Sequence, residues 1–177
     1  MAYIEKTINS EIVYDGPVFK VRKHRVDTIN GESIRDVVEH SGGAVMIAVK
    51  DNGKIIMEKQ FRKPLEKVIF ELPAGKIDAN EDPMNTAYRE LIEETGYRAG
   101  TVKHLTSYTP TCGYSNEVLH VYLMKNLTQG ETDPDPTECV DVLEYDADTL
   151  IEMILNKEIT DGKTILGILL ARQLGEI

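Results

Sequence analysis

Tryptophan is absent from this chain, and aromatic residues are scarce: three Phe and eight Tyr in 177 residues. The two cysteines, Cys112 and Cys139, make no disulfide framework, and no zinc-type Cys/His spacing is present. Basic residues are also few, 20 Lys and Arg against 30 Asp and Glu, for a formal charge of −10. That balance excludes a generic nucleic-acid binder, which needs a basic footprint. No apolar run approaches the ~18 residues of a membrane span, and Glu5 and Lys6 stand where a signal peptide would be apolar. The expectation is a cytoplasmic protein without a membrane or nucleic-acid partner.

What remains is ordinary for a soluble globular protein, 41% hydrophobic and 28% charged. The length suggests one domain, or one with a small appendage, and is ample for a core. No internal repeat or long linker interrupts it. Residues 1–41 read as β-rich, with strands over Ile8–Tyr14, Val18–Thr28 and Ser33–His40, turns at Asp15-Gly16-Pro17, and a hairpin signal at Asn30-Gly31. This section has few large apolar residues and could not build a core alone. Gly42-Gly43 opens a buried strand, Ala44–Lys50, followed by Lys54–Phe61 and Val68–Leu72. Later strands are expected over Thr101–Tyr108, Val118–Lys125 and Val140–Tyr145. Two helices close the chain, one from Asp146 or Asp148 to about Asn156 and one over Thr160–Leu174. Two loops stand out, Thr109–Glu117, dense in turn residues, and an acidic proline-containing segment over 128–138. Strands on both sides of a central helix, with a helical end, indicate an α/β sandwich with mixed sheets.

That central helix lies in Gly75–Tyr97, GKIDANEDPMNTAYRELIEETGY. Asp82 can accept from free backbone N–H groups, Pro83 suits the first turn, and Gly96 is a natural stop. Glu90 and Glu94 are four apart and share a face, with Glu93 on its flank, while Ala87, Leu91 and Thr95 form a stripe suited to packing. Carboxylates this close repel by a few tenths of a kcal/mol per exposed pair. A hard divalent cation removes that repulsion, and Mg²⁺ favours one or two carboxylates completed by water and substrate phosphates. The plain alternative is a solvated acidic face.

The full spacing favours the cation. Gly75, five residues, Glu81, seven residues, then Arg89-Glu90-Leu91-Ile92-Glu93-Glu94-Thr95-Gly96 resembles the signature of the Nudix hydrolases. Tyr97 is the one departure, standing where the family has an aliphatic residue, a place a buried tyrosine could fill. The resemblance implies a Nudix-type α/β/α sandwich over 42–177, with residues 1–41 as an N-terminal antiparallel β section. It further implies hydrolysis of a nucleoside diphosphate linked to another moiety, with Mg²⁺, or Mn²⁺ in its place. An acidic protein that binds an anionic diphosphate needs such cations.

Four further segments resemble the ADP-ribose pyrophosphatase branch: GPVFKVRKHRV, VVEHSGGAVMIA, QFRKPLEKVIFELPAGK and, near the end, Ile159-Thr160-Asp161-Gly162-Lys163-Thr164. The branch implies ADP-ribose as a small-molecule substrate, giving AMP and ribose 5-phosphate. It also implies a homodimer with swapped N-terminal strands. By resemblance Glu90, Glu94 and the Ala74 carbonyl bind metal, and Glu93 binds a further ion or assists water. Glu81 and Arg89 pair to hold loop to helix, with Gly75 and Gly96 structural. Arg62 contacts phosphate or the terminal ribose; its plain alternative is a surface arginine. Phe19, Arg35 and Asp36 reach the adenosine end from the partner subunit, although Phe19 could equally be core. Pro110, Gly113 and Glu117 border the substrate. Two departures bear on chemistry. Pro110 and Gly113 are separated by Thr111 and Cys112 where the branch joins proline to glycine, which leaves another nucleotide sugar, such as GDP-mannose, as an alternative substrate. The branch places two glutamates in the acidic loop, one as base and one as a further metal ligand; Glu138 matches the second and Pro136 replaces the first, so Asp135, Glu138 or the helical Glu93 serves as base, or activation comes mainly from the metals. A non-catalytic ligand sensor on the same fold is the remaining alternative, but such proteins lose signature carboxylates that this chain keeps.

Overall fold

Three antiparallel strands with tight connections begin the chain. A computed structural model describes residues 3–132 and 139–177. Strands β1 (Lys6–Asp15), β2 (Lys20–Thr28) and β3 (Gly31–Glu39) form one sheet in chain order. Thr28 pairs with Gly31, so the hairpin tip is Ile29-Asn30, one residue earlier than the Asn-Gly signal suggests. The reason is local. Gly31 takes φ +104°, and the Thr28 hydroxyl donates to its carbonyl at 2.6 Å. This sheet forms one compact unit, residues 1–42 together with the loop 109–118. The Val38 N–H donates to the Tyr114 carbonyl at 2.7 Å, and the Asn116 N–H to Val38 at 3.2 Å, which ties the loop to β3. All ten residues of β1 are exposed.

The second unit comprises residues 43–108 and 119–177. Its centre is β4 (Gly43–Ala48), an apolar strand buried on both faces. Val45 and Ile47 join one hydrophobic cluster, with Leu150, Met153, Ile168 and Ala171; Ala44, Met46 and Ala48 join another, with Ala87 and Leu91. A sheet ordered β7-β4-β9-β8 carries this strand, where β7 is Ala74–Lys76, β8 Tyr97–Tyr108 and β9 Leu119–Gln129. It is mixed, because β4 and β9 run parallel while the other pairs are antiparallel. A second, antiparallel sheet is ordered β10-β5-β6, with β5 Ile55–Arg62, β6 Lys67–Glu71 and β10 Val140–Tyr145. Helix α1 (Pro83–Thr95) covers one face of the mixed sheet; α2 (Ala147–Leu155) and α3 (Gly162–Gln173) supply the apolar residues on the other. The expected α/β/α sandwich with mixed sheets is the fold observed. Among the described residues no helix is long and apolar enough to cross a membrane.

Candidate active site

The acidic helix is fixed at both ends. Asp82 Oδ1 accepts from the Met84 N–H at 2.9 Å, Pro83 fills the first turn, and Gly96 closes the helix at φ +74° with its N–H on the Ile92 carbonyl. Thr86, Ala87, Leu91 and Thr95 are its buried side chains, so packing sets its rotation and leaves Glu90, Glu93 and Glu94 off the core stripe. Tyr97 is buried, and its hydroxyl accepts from Lys50 Nζ at 3.1 Å, which satisfies the polar end of the ring.

Gly75 is where strand and helix meet most closely. A Cβ built there would lie 1.8 Å from Glu90 Cδ and 2.1 Å from its Oε1, so only glycine admits the carboxylate. Gly75 belongs to β7, a strand that sequence alternation does not reveal. It is short and begins in a Pro-Ala-Gly run, yet Val45 and Ala44 of β4 pair with Ala74 and Gly75. The Ala74 carbonyl is thereby set one residue from the Glu90 cradle.

Arg89 organises the exposed side. Its Nε and Nη2 donate to Glu81 Oε1 and Oε2 at 3.1 and 2.9 Å, while Nη1 donates to Glu90 Oε1 at 2.8 Å and Glu93 Oε2 at 3.0 Å. Arg89, followed by the Thr86 hydroxyl, holds the Glu81 carboxyl down at about 2 despite partial burial. The Glu90 side chain is 14% exposed and that of Glu93 37%, so Glu93 is the more open to water.

A second charged group escaped the sequence reading. Glu58 on β5 and Glu71 on β6 are cross-strand partners, each 1% exposed. Glu71 is compensated by Arg62 and Lys163. Glu58 shares a hydrogen bond with Glu94, and burial, then the Glu71 charge, pushes its carboxyl up to about 7. The signal was present in Ile55-Ile56-Met57-Glu58, an apolar run ending in a carboxylate, all four residues of which are buried.

These residues fit a hard divalent cation. The donors are carboxylate and carbonyl oxygens, which select Mg²⁺ or Mn²⁺ over softer ions. Glu58 Oε1, buried, has no hydrogen-bond partner among the described residues. Among those residues no group of three or more His, Cys, Asp or Glu side chains is placed to hold a metal ion by itself. An open set completed by water and substrate oxygens is the arrangement Mg²⁺ favours.

The other sequence-predicted residues fall in the first unit. Phe19 is 40% exposed, against the core alternative, and its ring lies 5.5 Å from that of Tyr14. Arg35 donates from Nε to Glu5 at 3.0 Å, and Asp36 is exposed. Pro110 and Gly113 are exposed in the loop, and Glu117 Oε1 lies 3.5 Å from His40 Nδ1. Glu138, Asp135 and Pro136 lie outside the described residues.

The NUDIX domain family matches residues 40–165. The chain is 41% identical to a "Methanol dehydrogenase activator" from Bacillus methanolicus and 40% identical to an "ADP-ribose pyrophosphatase" from Bacillus subtilis (strain 168), each over 93% of this chain and 90% of the relative. The solved structure of an "ADP compounds hydrolase" superposes with a TM-score of 0.87 at 16% identity, covering 100% of this chain and 99% of the other. The family match spans the carboxylate helix, its glycine cradle and the mixed sheet beneath them, and the chain belongs to the Nudix family.

Proposed function

We propose that the protein hydrolyses the pyrophosphate bond of ADP-ribose, giving AMP and ribose 5-phosphate, with Mg²⁺ held by Glu90, Glu94 and the Ala74 carbonyl. The substrate reading rests on 40% identity to an ADP-ribose pyrophosphatase across nearly the whole of both chains. The metal reading rests on the Glu90 carboxylate seated over Gly75, a cradle that any side chain there would close. When bound, a divalent cation neutralises charge on the diphosphate and makes a water molecule far more acidic. The chain's own groups do the rest. Arg89 orients Glu90, and the hydrogen bond with Glu58 orients Glu94. Arg62 contacts a phosphate or the terminal ribose. A water oxygen bonds to phosphorus as the bridging P–O bond breaks, and its proton passes to a carboxylate. Glu138 is the proposed acceptor, or a ligand to a further ion; Glu93, solvent-open on the helix, is its competitor.

The same reading places Phe19, Arg35 and Asp36 at the adenosine end of a partner subunit's site, with Pro110, Gly113 and Glu117 bordering the sugar. The exposed β1, and Ile8, Ile12 and Ile34 uncovered on the first sheet, support an exchange of N-terminal strands between two copies. Two free, exposed cysteines fit a reducing cytoplasm.

Assaying ADP-ribose against GDP-mannose and other nucleoside diphosphate sugars, with Mg²⁺, Mn²⁺ or EDTA, tests the reading. ADP-ribose should have the highest kcat/KM, and EDTA should abolish turnover. A preference for another sugar nucleotide overturns the substrate; no turnover of any of them favours a ligand sensor. Comparing kcat for Glu138→Gln and Glu93→Gln across pH then decides the base. General-base loss commonly costs about 10²–10⁴-fold.

A further inference from the structure

Arg62 reaches a cavity of about 270 Å³ lined also by Pro64, Leu65, Glu71, Asp161 and Lys163. Its guanidinium is oriented from the buried side. Nε and Nη2 donate to Glu71 Oε1 and Oε2 at 2.7 and 2.9 Å, a bidentate fork that leaves Nη1 as the nitrogen Glu71 does not take. Lys163, 13% exposed, donates to the same Glu71 Oε2 and to Asp161 Oδ2 at 3.1 Å. Asp161 caps α3 by accepting from the Thr164 N–H at 3.0 Å, and the Leu72 N–H donates to the Thr164 hydroxyl at 2.8 Å. An unbroken polar chain therefore runs from Arg62 to the first turn of α3.

Two cations thus converge on one carboxylate, one from the cavity wall and one from the start of α3. Glu71 sits opposite a second buried carboxylate, Glu58, in a place where a lone negative charge is costly. Lys163 takes one oxygen of Glu71, and the remaining contacts of that carboxylate go to the arginine fork. We propose that Glu71 and Lys163 are positioning residues for Arg62, acting on substrate only through the direction they give its guanidinium. The inference rests on the reading of Arg62 as a substrate contact.

A double-mutant cycle tests it, run on whichever nucleotide sugar the panel favours. kcat/KM is measured for the parent, Arg62→Ala, Lys163→Met and the double variant, with thermal unfolding of each. Lys163→Met should lower kcat/KM about tenfold to a hundredfold, the range typical of residues that orient a functional group, and should add no loss in the Arg62→Ala background. Affinity for the substrate in EDTA, read by calorimetry, should follow the same pattern. An equal loss in both backgrounds overturns the inference, because Lys163 then acts through the fold. No loss from Lys163→Met also overturns it. An Arg62→Ala variant with unchanged kcat/KM overturns the Arg62 reading itself, and the single mutant reveals that separately. If Lys163→Met does not fold, Glu71→Gln takes its place in the cycle, since it removes the charge while keeping the size.

Discussion

Glu94 and Glu81 sit on one short motif yet respond to different tests. Glu94→Gln keeps the shape and removes a charged ligand, so kcat should fall at least about a hundredfold while the thermal midpoint holds. Unchanged turnover at saturating Mg²⁺ would remove Glu94 from the metal site. Glu81 concerns stability. Its carboxyl is lowered to about 2 from an ordinary value of 4.5, so its contribution is complete above about pH 5 and is lost as the pH falls toward 2. With the Glu81 side chain 18% and the Arg89 side chain 31% exposed, solvent screening leaves roughly 1–2 kcal/mol of that shift as stability. Denaturant unfolding of the parent and Glu81→Gln should differ by this amount at pH 6 and converge near pH 2; a gap independent of pH contradicts it. The motif carboxylates were legible because their spacing in sequence is their spacing on the helix surface. Glu58, Glu71 and Lys163 were not, because strand pairing and the start of α3 bring together residues far apart in the chain. For Glu71 and Lys163 the separation is 92 residues.

At the level of elements, caps and turns carried most of the information. Asp82, Pro83 and Gly96 delimit α1 where helix-end chemistry places them, and the stripe Ala87, Leu91, Thr95 is the stripe observed buried. Leu91 has no exposed surface and shares one buried cluster with Met46, Ile56 and Tyr97. Leu91→Ala should cost about 2–5 kcal/mol, read as a lowered denaturation midpoint with an unchanged slope. A cost below about 1 kcal/mol would mean that the helix does not depend on this contact. Strand ends were less legible. β8 starts at Tyr97 rather than Thr101, and β9 extends to Gln129 rather than Lys125. Tyr97-Arg98-Ala99 is too short to signal a strand by itself; pairing with Gln129, Thr128 and Leu127 makes it one. β7 exists for the same reason, supported by β4 rather than by its own composition.

For the whole molecule, the first sheet poses the question of assembly. If residues 1–41 exchange with a partner, removing them up to Gly42 should abolish dimerisation and weaken nucleotide binding together. Sedimentation of the full chain and of the shortened one, beside an ADP-ribose titration, checks this. A full-length protein that is monomeric and fully active at the same concentration contradicts the exchange. The scarcity of large apolar residues in this section was visible in sequence; what covers its sheet was not, since one chain does not carry its partner.

One feature of β4 sets a timescale. Ala74–Lys76 pair along one edge and the Pro73 carbonyl accepts from the Met46 N–H at 2.9 Å, β9 pairs along the other edge, and side chains cover both faces, so its amides have no local route to water. Deuterium should enter Val45–Ala48 only when the second unit opens as a whole, and their exchange should slow in step with any increase in global stability. β1, exposed along its length, should exchange in isolated copies orders of magnitude sooner. A mass spectrum taken after brief labelling would then show the chain as two clocks, one reporting the fold and the other the company the protein keeps.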